Sequence, residues 1–346
     1  MTPVSMRPGD ADEFPPFLQA KPEGVARAAE LLQSGEIVAL PTETVYGLAA
    51  NALDERAVRL VFSIKGRPLL DPLIVHGLGV EFLQDLAEFT PMARELAAAC
   101  WPGPLTLVLP KRAVVSPLVT AGRETVAVRA PAHSAMRAVL TACQLPLAAP
   151  SANPFGYISP TCADHVRASF GGRVPWILDG GSCPVGVEST IVDVSNPAGP
   201  PQVLRPGPIT AEALTRILGR PVESRKAPAP SATAGMAAPG LFARHYSPRT
   251  PLGLLEPGAQ PAPPSEGRRV AWVRFHRPAP ESALPAHTAV FWLSESGDLA
   301  QAAQGLYELL RRLDTAGFEK IWCEAAPSTG LGVALNDRLR RAAGQG

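Results

Sequence analysis

The sequence has few cysteines, and no pairing pattern is visible among them. The five cysteines are an odd number, and no two of them have C-x-x-C spacing. A disulfide framework or a zinc site of paired cysteines is therefore not indicated. An excess of one charge is also lacking, since the formal net charge is +1. Without a strong overall field to attract nucleic acid, an anion-binding site has to be a local cluster.

Long apolar runs and common catalytic motifs are lacking as well. No apolar stretch is long enough to span a membrane, and the acidic, proline-broken N-terminus does not resemble a signal peptide, so we expect a cytoplasmic protein. The sequence contains no Gly-Lys dipeptide, which excludes a Walker-type phosphate loop. The absence of G-x-S-x-G and H-E-x-x-H argues against an ordinary serine hydrolase or zinc protease.

The length of 346 residues predicts two domains, and the 46% apolar content is that of a globular protein. Alternating helical and strand patterns over 20–220 predict an α/β catalytic domain. Its sheet should be mixed, because the β-rich runs around 189–207 follow one another without helices between them. Residues 221–250 are rich in Pro, Ala, Gly and Ser and predict a linker. The strand–helix pattern of 251–346 predicts a smaller, Rossmann-like α/β domain.

Polar residues occur near the ends of many predicted strands of the first domain. They are Thr42, Lys65, Arg67, His76, Thr125, Arg129, Ser151, Asn153, Ser159, Ser189 and Arg205. Because ligands collect where loops converge at the edge of an open α/β sheet, we expect these residues to share one pocket. Lys65, Arg67, Arg129 and Arg205 would give that pocket four cations, which suits a polyanion together with a carboxylate.

Each of these residues also has a purely structural interpretation. Lys65 and Arg67 would complement the dipole at the end of a helix, where a lysine is exposed and cheap to remove. His76 would be a satisfied core histidine. Ser151 and Asn153 would cap a helix or form a turn. The residues alone leave these alternatives open.

Taken in order, the motifs resemble the YrdC-like family of threonylcarbamoyl-AMP synthases in its long, two-domain form. The resemblance runs from about residue 20 to the C-terminus through PTETVYGLAANALDERAVRLVFSIKGRPLLDPLIVH, WPGPLTLVLP, AGRETVAVRAPAH, APSANPFGYISPT, GVESTIVD, LRPGPIT, ARHYSPRTPL and GLGVALNDRLRRAA. It implies a YrdC-like twisted mixed sheet with helices. It also implies a nucleotidyltransferase that converts L-threonine, bicarbonate and ATP into threonylcarbamoyl-AMP and pyrophosphate, for threonylcarbamoyladenosine modification of tRNA.

The resemblance also implies roles for individual residues. The implied threonine-binding residues are Thr42, His76, Arg129 and Ser189. The implied ATP-binding residues are Lys65, Arg67, Thr125, Ser151, Asn153, Ser159, Arg205 and Tyr246. No protein nucleophile is implied, because positioning and charge stabilisation by groups such as Lys65 and Arg67 suffice when a carbamate attacks the α-phosphorus. Mg²⁺ is expected with the ATP, without an assigned ligand residue. The implied partners are the proteins that transfer the threonylcarbamoyl group to tRNA, and weak tRNA contact stays open.

One stretch departs from the family pattern. After KGRP the family usually has a small polar residue followed by Asn-Pro-Leu, whereas this chain reads Leu69-Leu70-Asp71-Pro72-Leu73. Leu69 cannot donate a side-chain hydrogen bond to a phosphate. Asp71 would place a negative charge near a polyanion, hold a metal ion or orient Lys65.

Two other functions are weighed against the synthase, together with a role for the linker. YrdC-like domains also occur in carbamoyltransferase-type proteins, but those resemble longer chains with zinc-finger or metal-binding partner domains. An RNA-binding module without chemistry would show a broad basic face with exposed aromatics.

In the linker, the adjacent Arg244, His245 and Tyr246 predict a lid over the nucleotide, with Tyr246 against ATP.

Overall fold

The computed structural model describes residues 16–224, 235–278 and 287–345. The strands are β1 (Leu18–Gln19), β2 (Val38–Leu40), β3 (Gly47–Asn51), β4 (Ile74–His76), β5 (Leu105–Pro110), β6 (Thr125–Arg129), β7 (Leu147–Ala148), β8 (Leu178–Asp179), β9 (Thr190–Asp193), β10 (Gln202–Arg205), β11 (Glu223–Ser224), β12 (Leu252–Leu255), β13 (Val270–His276), β14 (Thr288–Ser294) and β15 (Lys320–Glu324). The α-helices are α1 (Pro22–Gln33), α2 (Glu55–Lys65), α3 (Val80–Leu83), α4 (Pro91–Cys100), α5 (Pro117–Thr120), α6 (Ser134–Cys143), α7 (Ala163–Phe170), α8 (Ala211–Leu218), α9 (Leu299–Asp314) and α10 (Leu331–Ala342).

The N-terminal part is built on a nine-stranded sheet with the order β11-β10-β9-β5-β6-β4-β7-β3-β2. The pairs β4–β6, β5–β9 and β10–β11 are parallel, and the other neighbours are antiparallel. The predicted mixed sheet is therefore confirmed. The sequence pattern did not indicate β3, because its residues Gly-Leu-Ala-Ala-Asn include types with low strand propensity.

Local capping places the KGRP motif at the edge of this sheet. Helix α2 begins after Asp54, whose carboxylate accepts hydrogen bonds from the backbone N–H groups of Arg56 and Ala57. It ends at Lys65, because Gly66 adopts the left-handed conformation with φ 60°. Buried residues of α2 pack with residues of β4 in one core cluster. The end of the helix is thus held next to the strand that carries His76.

The C-terminal part is a separate four-stranded sheet with the order β12-β15-β13-β14, in which every neighbouring pair is parallel. Helices α9 and α10 pack on this sheet through buried residues such as Leu306, Leu310, Leu335 and Leu339. This arrangement confirms the predicted Rossmann-like fold. Within the described ranges, no helix is both long enough and apolar enough to cross a membrane.

A shared apolar cluster joins the two parts. Val45, Ile158 and Val187 from the N-terminal part pack into the same buried cluster as the core of the C-terminal part. At this boundary Gly186 has φ +79°, and a Cβ on it would lie 2.4 Å from the carbonyl oxygen of Ala303 in α9. The loop before β9 therefore approaches α9 more closely than a residue with a side chain would allow.

A buried ion pair crosses the same boundary. The Arg338 guanidinium of α10 donates from Nε to Glu188 Oε2 at 2.7 Å, and Tyr307 of α9 donates to the same oxygen at 2.9 Å. Ser159 donates to the other carboxylate oxygen at 2.6 Å. Burial alone would raise the pKa of Glu188, but Arg338, Arg205 and these hydrogen bonds lower it to about 2. The Glu188 carboxylate is therefore ionised, and both of its oxygens accept hydrogen bonds.

The end of the predicted linker lies on the nine-stranded sheet. Of the predicted linker 221–250, residues 225–234 lie outside the described residues. The following stretch, here called the linker end (residues 235–250), buries Met236, Ala238 and Leu241 against Ile74 and Leu204 of the sheet. It is also held by a backbone hydrogen bond from Met236 to Leu70.

Removal of Arg338 is expected to destabilise the protein strongly. In the Arg338→Ala variant the Glu188 charge stays buried without its main partner, which costs about 3–5 kcal/mol. The control is Arg340→Ala, an exposed position on the same helix, where the change should stay within about 0.5 kcal/mol. Urea unfolding of both variants measures the difference. Equal stabilities of the two variants would show that the ion pair does not hold the interface.

Candidate functional site

Two neighbouring parallel strands bring the first predicted pair together. In the register of β4 with β6, His76 lies opposite Arg129, and both residues end their strands. The carboxyl ends of parallel strands meet at one edge of the sheet, as expected from sequence. His76 is buried, and its Nδ1 lies 3.4 Å from the carbonyl oxygen of Leu147. Burial and the nearby Arg129 lower its pKa to about 3, so the imidazole is neutral at pH 7.

Arg129 is buried and is fixed by three groups. Its Nη2 donates to Glu43 Oε1 at 2.6 Å, its Nη1 to Thr44 Oγ1 at 3.0 Å, and its Nε to the carbonyl of Gly103 at 3.2 Å. On its strand Arg129 could also have faced the solvent, but the residue is 3% exposed and points into the protein. Burial would raise the pKa of Glu43, but Arg129 holds it below the usual value.

The loop after β2 is organised by Thr42. Its hydroxyl donates to the carbonyl of Val45 at 2.6 Å and accepts from the backbone N–H groups of Thr44 and Val45. This local turn directs Glu43 and Thr44 towards Arg129. The sequence analysis missed both residues, although a carboxylate next to Thr42 in the same motif was a visible signal for a partner of a buried arginine.

A second arginine closes the other side of the site. Arg205 on β10 donates from Nε and Nη2 to the carbonyl oxygen of Ser189, and from Nη2 to its hydroxyl at 3.1 Å. The Ser189 hydroxyl also lies 2.8 Å from that of Thr106 on β5. Arg205 is thereby held across the adjacent strand ends of β9 and β10.

Lys65 is placed differently from the sequence expectation. It is 3% exposed, and its ammonium donates to the carbonyl oxygens of Ser151 and Asn153, both at 2.5 Å. Burial and the neighbouring Arg67 lower its pKa well below the usual value. The expectation of an exposed lysine that is cheap to remove is therefore wrong, because this side chain holds the Ser-Ala-Asn loop in place.

Arg67 is likewise enclosed and paired. Its Nη2 lies 2.9 Å from a carboxylate oxygen of Asp71, and its Nε and Nη2 donate to the carbonyl oxygens of Asp71 and Pro72. The helix-dipole interpretation does not describe this contact, since the partner is a fully buried carboxylate four residues away. Of the options raised for Asp71, the observed contact is the orientation of a basic residue, and that residue is Arg67 instead of Lys65.

The predicted residues largely surround one cavity of about 50 Å³. Eight of the twelve line it, namely Thr42, Arg67, His76, Arg129, Ser151, Ser189, Arg205 and Tyr246. The lining also includes Glu188, Gly240 and His245, which were not among the twelve. Three of the four expected cations thus reach one space, and the ammonium of Lys65 lies behind the Ser151 loop.

The other predicted residues lie outside the lining. Thr125 begins β6 and lies four positions before Arg129, roughly 13 Å away along an extended strand. Ser159 is fully buried and bonds to Glu188. Asn153 donates to the carbonyls of Pro154 and Tyr157. The side chains of Ser159 and Asn153 therefore support the walls of the cavity from behind.

The linker end forms one wall. Tyr246 is 1% exposed and stacks on Tyr307 of α9 at a centroid distance of 5.9 Å, as a residue of the domain boundary would. It also lines the cavity, and its hydroxyl has no hydrogen-bond partner among the described residues. The neighbouring His245 is buried, which lowers its pKa to about 3. The aromatic pair therefore presents neutral polar atoms next to the cations.

Comparisons with known proteins match both parts of the chain. Residues 30–207 match a family model described as "Telomere recombination", which covers the Sua5, YciO and YrdC proteins. Residues 209–344 match a model described as "Threonylcarbamoyl-AMP synthase, C-terminal domain". The chain is 39% identical over 326 residues to the threonylcarbamoyl-AMP synthase of Pyrococcus abyssi, covering 92% of this chain and 93% of that protein. It is 40% identical over 328 residues to the Bacillus subtilis enzyme of the same name, with the same coverage.

A solved structure has the same architecture. The P. abyssi Sua5 protein in complex with L-threonine superposes with a TM-score of 0.82 at 38% identity. The match covers 94% of this chain and 95% of that protein. The similarity therefore includes the nine-stranded sheet, the linker end and the C-terminal part.

Acidification is expected to destabilise the protein through His76. Its pKa is about 3 when folded and about 6.5 when unfolded, so between these values the unfolded state binds the extra proton. The contribution of His76 to the free energy of unfolding is complete above pH 6.5 and falls by about 1.4 kcal/mol for each pH unit below that value. Urea unfolding between pH 7 and 5 measures how steeply the free energy of unfolding falls with pH, while the cavity-lining carboxylate of Glu188 stays ionised. His76→Asn should have a shallower slope, and an unchanged slope would exclude His76 as its source.

Proposed function

The chain belongs to the threonylcarbamoyl-AMP synthase family, and we propose that it joins L-threonine, bicarbonate and ATP into threonylcarbamoyl-AMP with release of pyrophosphate. The observation that carries this proposal is a buried cavity with three guanidinium groups, in a chain whose similarity to a relative named for that activity covers 92% of its length. The adenylate would be passed to proteins that transfer the threonylcarbamoyl group to tRNA.

The carboxylate of threonine fits the Arg129 side of the cavity. Arg129 uses three of its five N–H donors on Glu43, Thr44 and Gly103, which leaves two for a bidentate carboxylate. The neutral imidazole of His76 lies on the adjacent strand, and because its Nδ1 faces the Leu147 carbonyl, its Nε2 can accept one further hydrogen bond. The complex of the P. abyssi relative with L-threonine supports threonine as a ligand of this chain.

The triphosphate fits the side formed by Arg67 and Arg205. Arg67 makes its described contacts through Nε and Nη2, so its Nη1 donors remain for phosphate oxygens. The Ser151 loop, held from behind by Lys65, adds the Ser151 hydroxyl at the same edge. The Tyr246 hydroxyl and the ring of His245 supply neutral polar contacts for the nucleotide.

A magnesium ion fits this site as the ion carried by the triphosphate. The carboxylates around the cavity are already engaged: Glu43 with Arg129, Glu188 with Arg338, and Asp71 with Arg67. Mg²⁺ usually keeps several waters and binds phosphate oxygens. When bound, it would neutralise charge that develops on the phosphates.

The chemistry then needs placement more than covalent participation by the protein. Threonine's neutral amine and bicarbonate form a carbamate and release one water molecule, and a carbamate oxygen then attacks the α-phosphorus in line. The bond from the α-phosphorus to the bridging oxygen breaks, and pyrophosphate leaves with the electron pair. Arg129 would hold the amino acid on one side, while Arg67 and Arg205 stabilise the leaving phosphates on the other.

A product assay tests this function. The purified protein is incubated with ATP, L-threonine, bicarbonate and Mg²⁺, and we expect pyrophosphate and threonylcarbamoyl-AMP in equal amounts by mass spectrometry. The reaction should stop when threonine or bicarbonate is omitted. Pyrophosphate release that is independent of threonine would contradict the proposal. Conversion of carbamoyl phosphate with ATP, without threonine, would favour the carbamoyltransferase alternative.

The linker end would act as the gate of the nucleotide site. A cavity of about 50 Å³ is well below the roughly 300–1,000 Å³ of typical ligand sites, and residues of the linker end form one of its walls. ATP therefore requires this segment to move, and it would close again over the bound substrates. The segment's packing on the sheet and on α9 shows which contacts such a movement would break.

Tyr246→Phe is expected to weaken ATP binding about three- to tenfold without lowering stability. The hydroxyl has no partner among the described residues, so its removal breaks no protein hydrogen bond, whereas loss of a ligand contact costs about 0.5–1.5 kcal/mol. The control is Tyr157→Phe, which loses a 2.7 Å bond to Asp314 and should lower stability but not ATP affinity. Calorimetry and thermal unfolding compare the variants, and unchanged ATP affinity in Tyr246→Phe would remove this hydroxyl from the site.

A further inference from the structure

Asp71 is a buried acid in the midst of the cationic cluster. The residue lies in the loop between α2 and β4 and has no solvent exposure. Its carboxylate is 2.9 Å from Arg67 Nη2, and Lys65 and Arg205 also act on it electrostatically. One negative charge is therefore surrounded by cations from the end of α2, from the loop that follows it and from β10.

The surroundings of Asp71 include the gate as well. On the side of the linker end, the backbone of Gly240 faces the carboxylate, while Tyr246 and His245 face the same cations. His245 and Tyr246 are neutral at pH 7, because burial lowers the pKa of the first and raises that of the second. The charged groups around Asp71 are therefore the three cations.

The carboxylate is held by charge more than by hydrogen bonds. Neither oxygen of Asp71 makes a well-directed hydrogen bond to any residue in the described part of the chain, although both are buried. The contact with Arg67 is an ion pair whose geometry is not that of a directed bond. A buried carboxylate without such bonds depends on the neighbouring cations to stay ionised.

We propose that Asp71 is an internal counter-ion that takes up a proton when a nucleotide polyphosphate binds to Arg67 and Arg205. This inference rests on the proposed ATP site. The polyphosphate brings several negative charges next to the same guanidinium groups, so the cations no longer favour the ionised form of Asp71. The proton comes from solvent and goes to a carboxylate oxygen. Burial already raises the pKa of Asp71 in the free protein, which brings this step closer to neutral pH.

Two consequences follow for the nucleotide. Its affinity should increase as the pH falls, because a proton is bound together with it. At higher pH the ionised Asp71 repels the phosphates, which lowers the affinity for ATP and helps pyrophosphate to leave. Asp71 would then determine the strength of polyphosphate binding without contacting the reacting atoms.

Isothermal titration calorimetry of the full chain tests the coupling. ATP and inorganic pyrophosphate are titrated at pH 6, 7 and 8, in two buffers with different ionisation enthalpies, with and without Mg²⁺. On binding one ATP, the unaltered protein should take up about one proton more than Asp71→Asn does. Because ATP itself is protonated equally in both titrations, its own protons cancel in this comparison. Asp71→Asn should bind ATP roughly tenfold more tightly at pH 8 and depend less on pH.

Controls separate the explanations. Asp85→Asn, an exposed acid, should bind ATP as the unaltered protein does. Asp71→Ala, with its folding checked by thermal unfolding, should change affinity in the same direction as Asp71→Asn. Weaker binding by Asp71→Asn only with Mg²⁺ would indicate a metal ligand and overturn the inference, as would equal proton uptake in both proteins. If the unaltered protein binds neither ATP nor pyrophosphate, the proposed function fails and takes this inference with it.

Discussion

Burial of positive charge between one sheet edge and the C-terminal helices is the constraint on which the rest of the structure depends. The side chains of Arg67, Arg129 and Arg338 are at most 4% exposed. An unpaired buried charge costs several kcal/mol, so each guanidinium requires a partner inside the fold. Each has one: carboxylates of Asp71, Glu43 and Glu188 lie within 2.9 Å of them. The conformations of the loops after β2 and α2, and the approach of α10, all follow from these pairs.

This arrangement also explains how one small space can receive several anions. Guanidinium groups offer five donors each, and only part of them is used by the protein. Under the proposed function, substrate anions would therefore join existing ion pairs instead of meeting unpaired cations. The donors are oriented before the ligand arrives, so little reorganisation is needed during the reaction. The cost is that the internal carboxylates compete with the ligands for the same cations, most directly at Arg67.

Helices α9 and α10 of the C-terminal part do not line the cavity themselves. They contribute to the site by holding the residues and loops that do. Arg338 and Tyr307 hold Glu188, which immediately precedes Ser189 in the chain. Arg311 of α9 donates to the carbonyl of Ser159 and to the Ser169 hydroxyl, and so fixes the loop that follows the Ser151 turn. Tyr246 stacks on Tyr307 from the linker end. The wall of the cavity is thus completed only when both parts are packed together.

Local patterns in the sequence were enough to predict the mixed sheet, the Rossmann-like C-terminal part and the set of strand-end residues, because periodicity and the order of elements along the chain are local properties. The family motifs also indicated eight of the eighteen residues that line the cavity, including Tyr246 after a linker without regular pattern. Strand β3 was missed because its small residues have no strong local preference. The pairing of the cations is visible only in the three-dimensional fold, where Lys65 lies buried under the Ser151 loop and Arg67 pairs with Asp71. Burial and ion pairing arise from contacts between distant segments, which local sequence patterns do not specify.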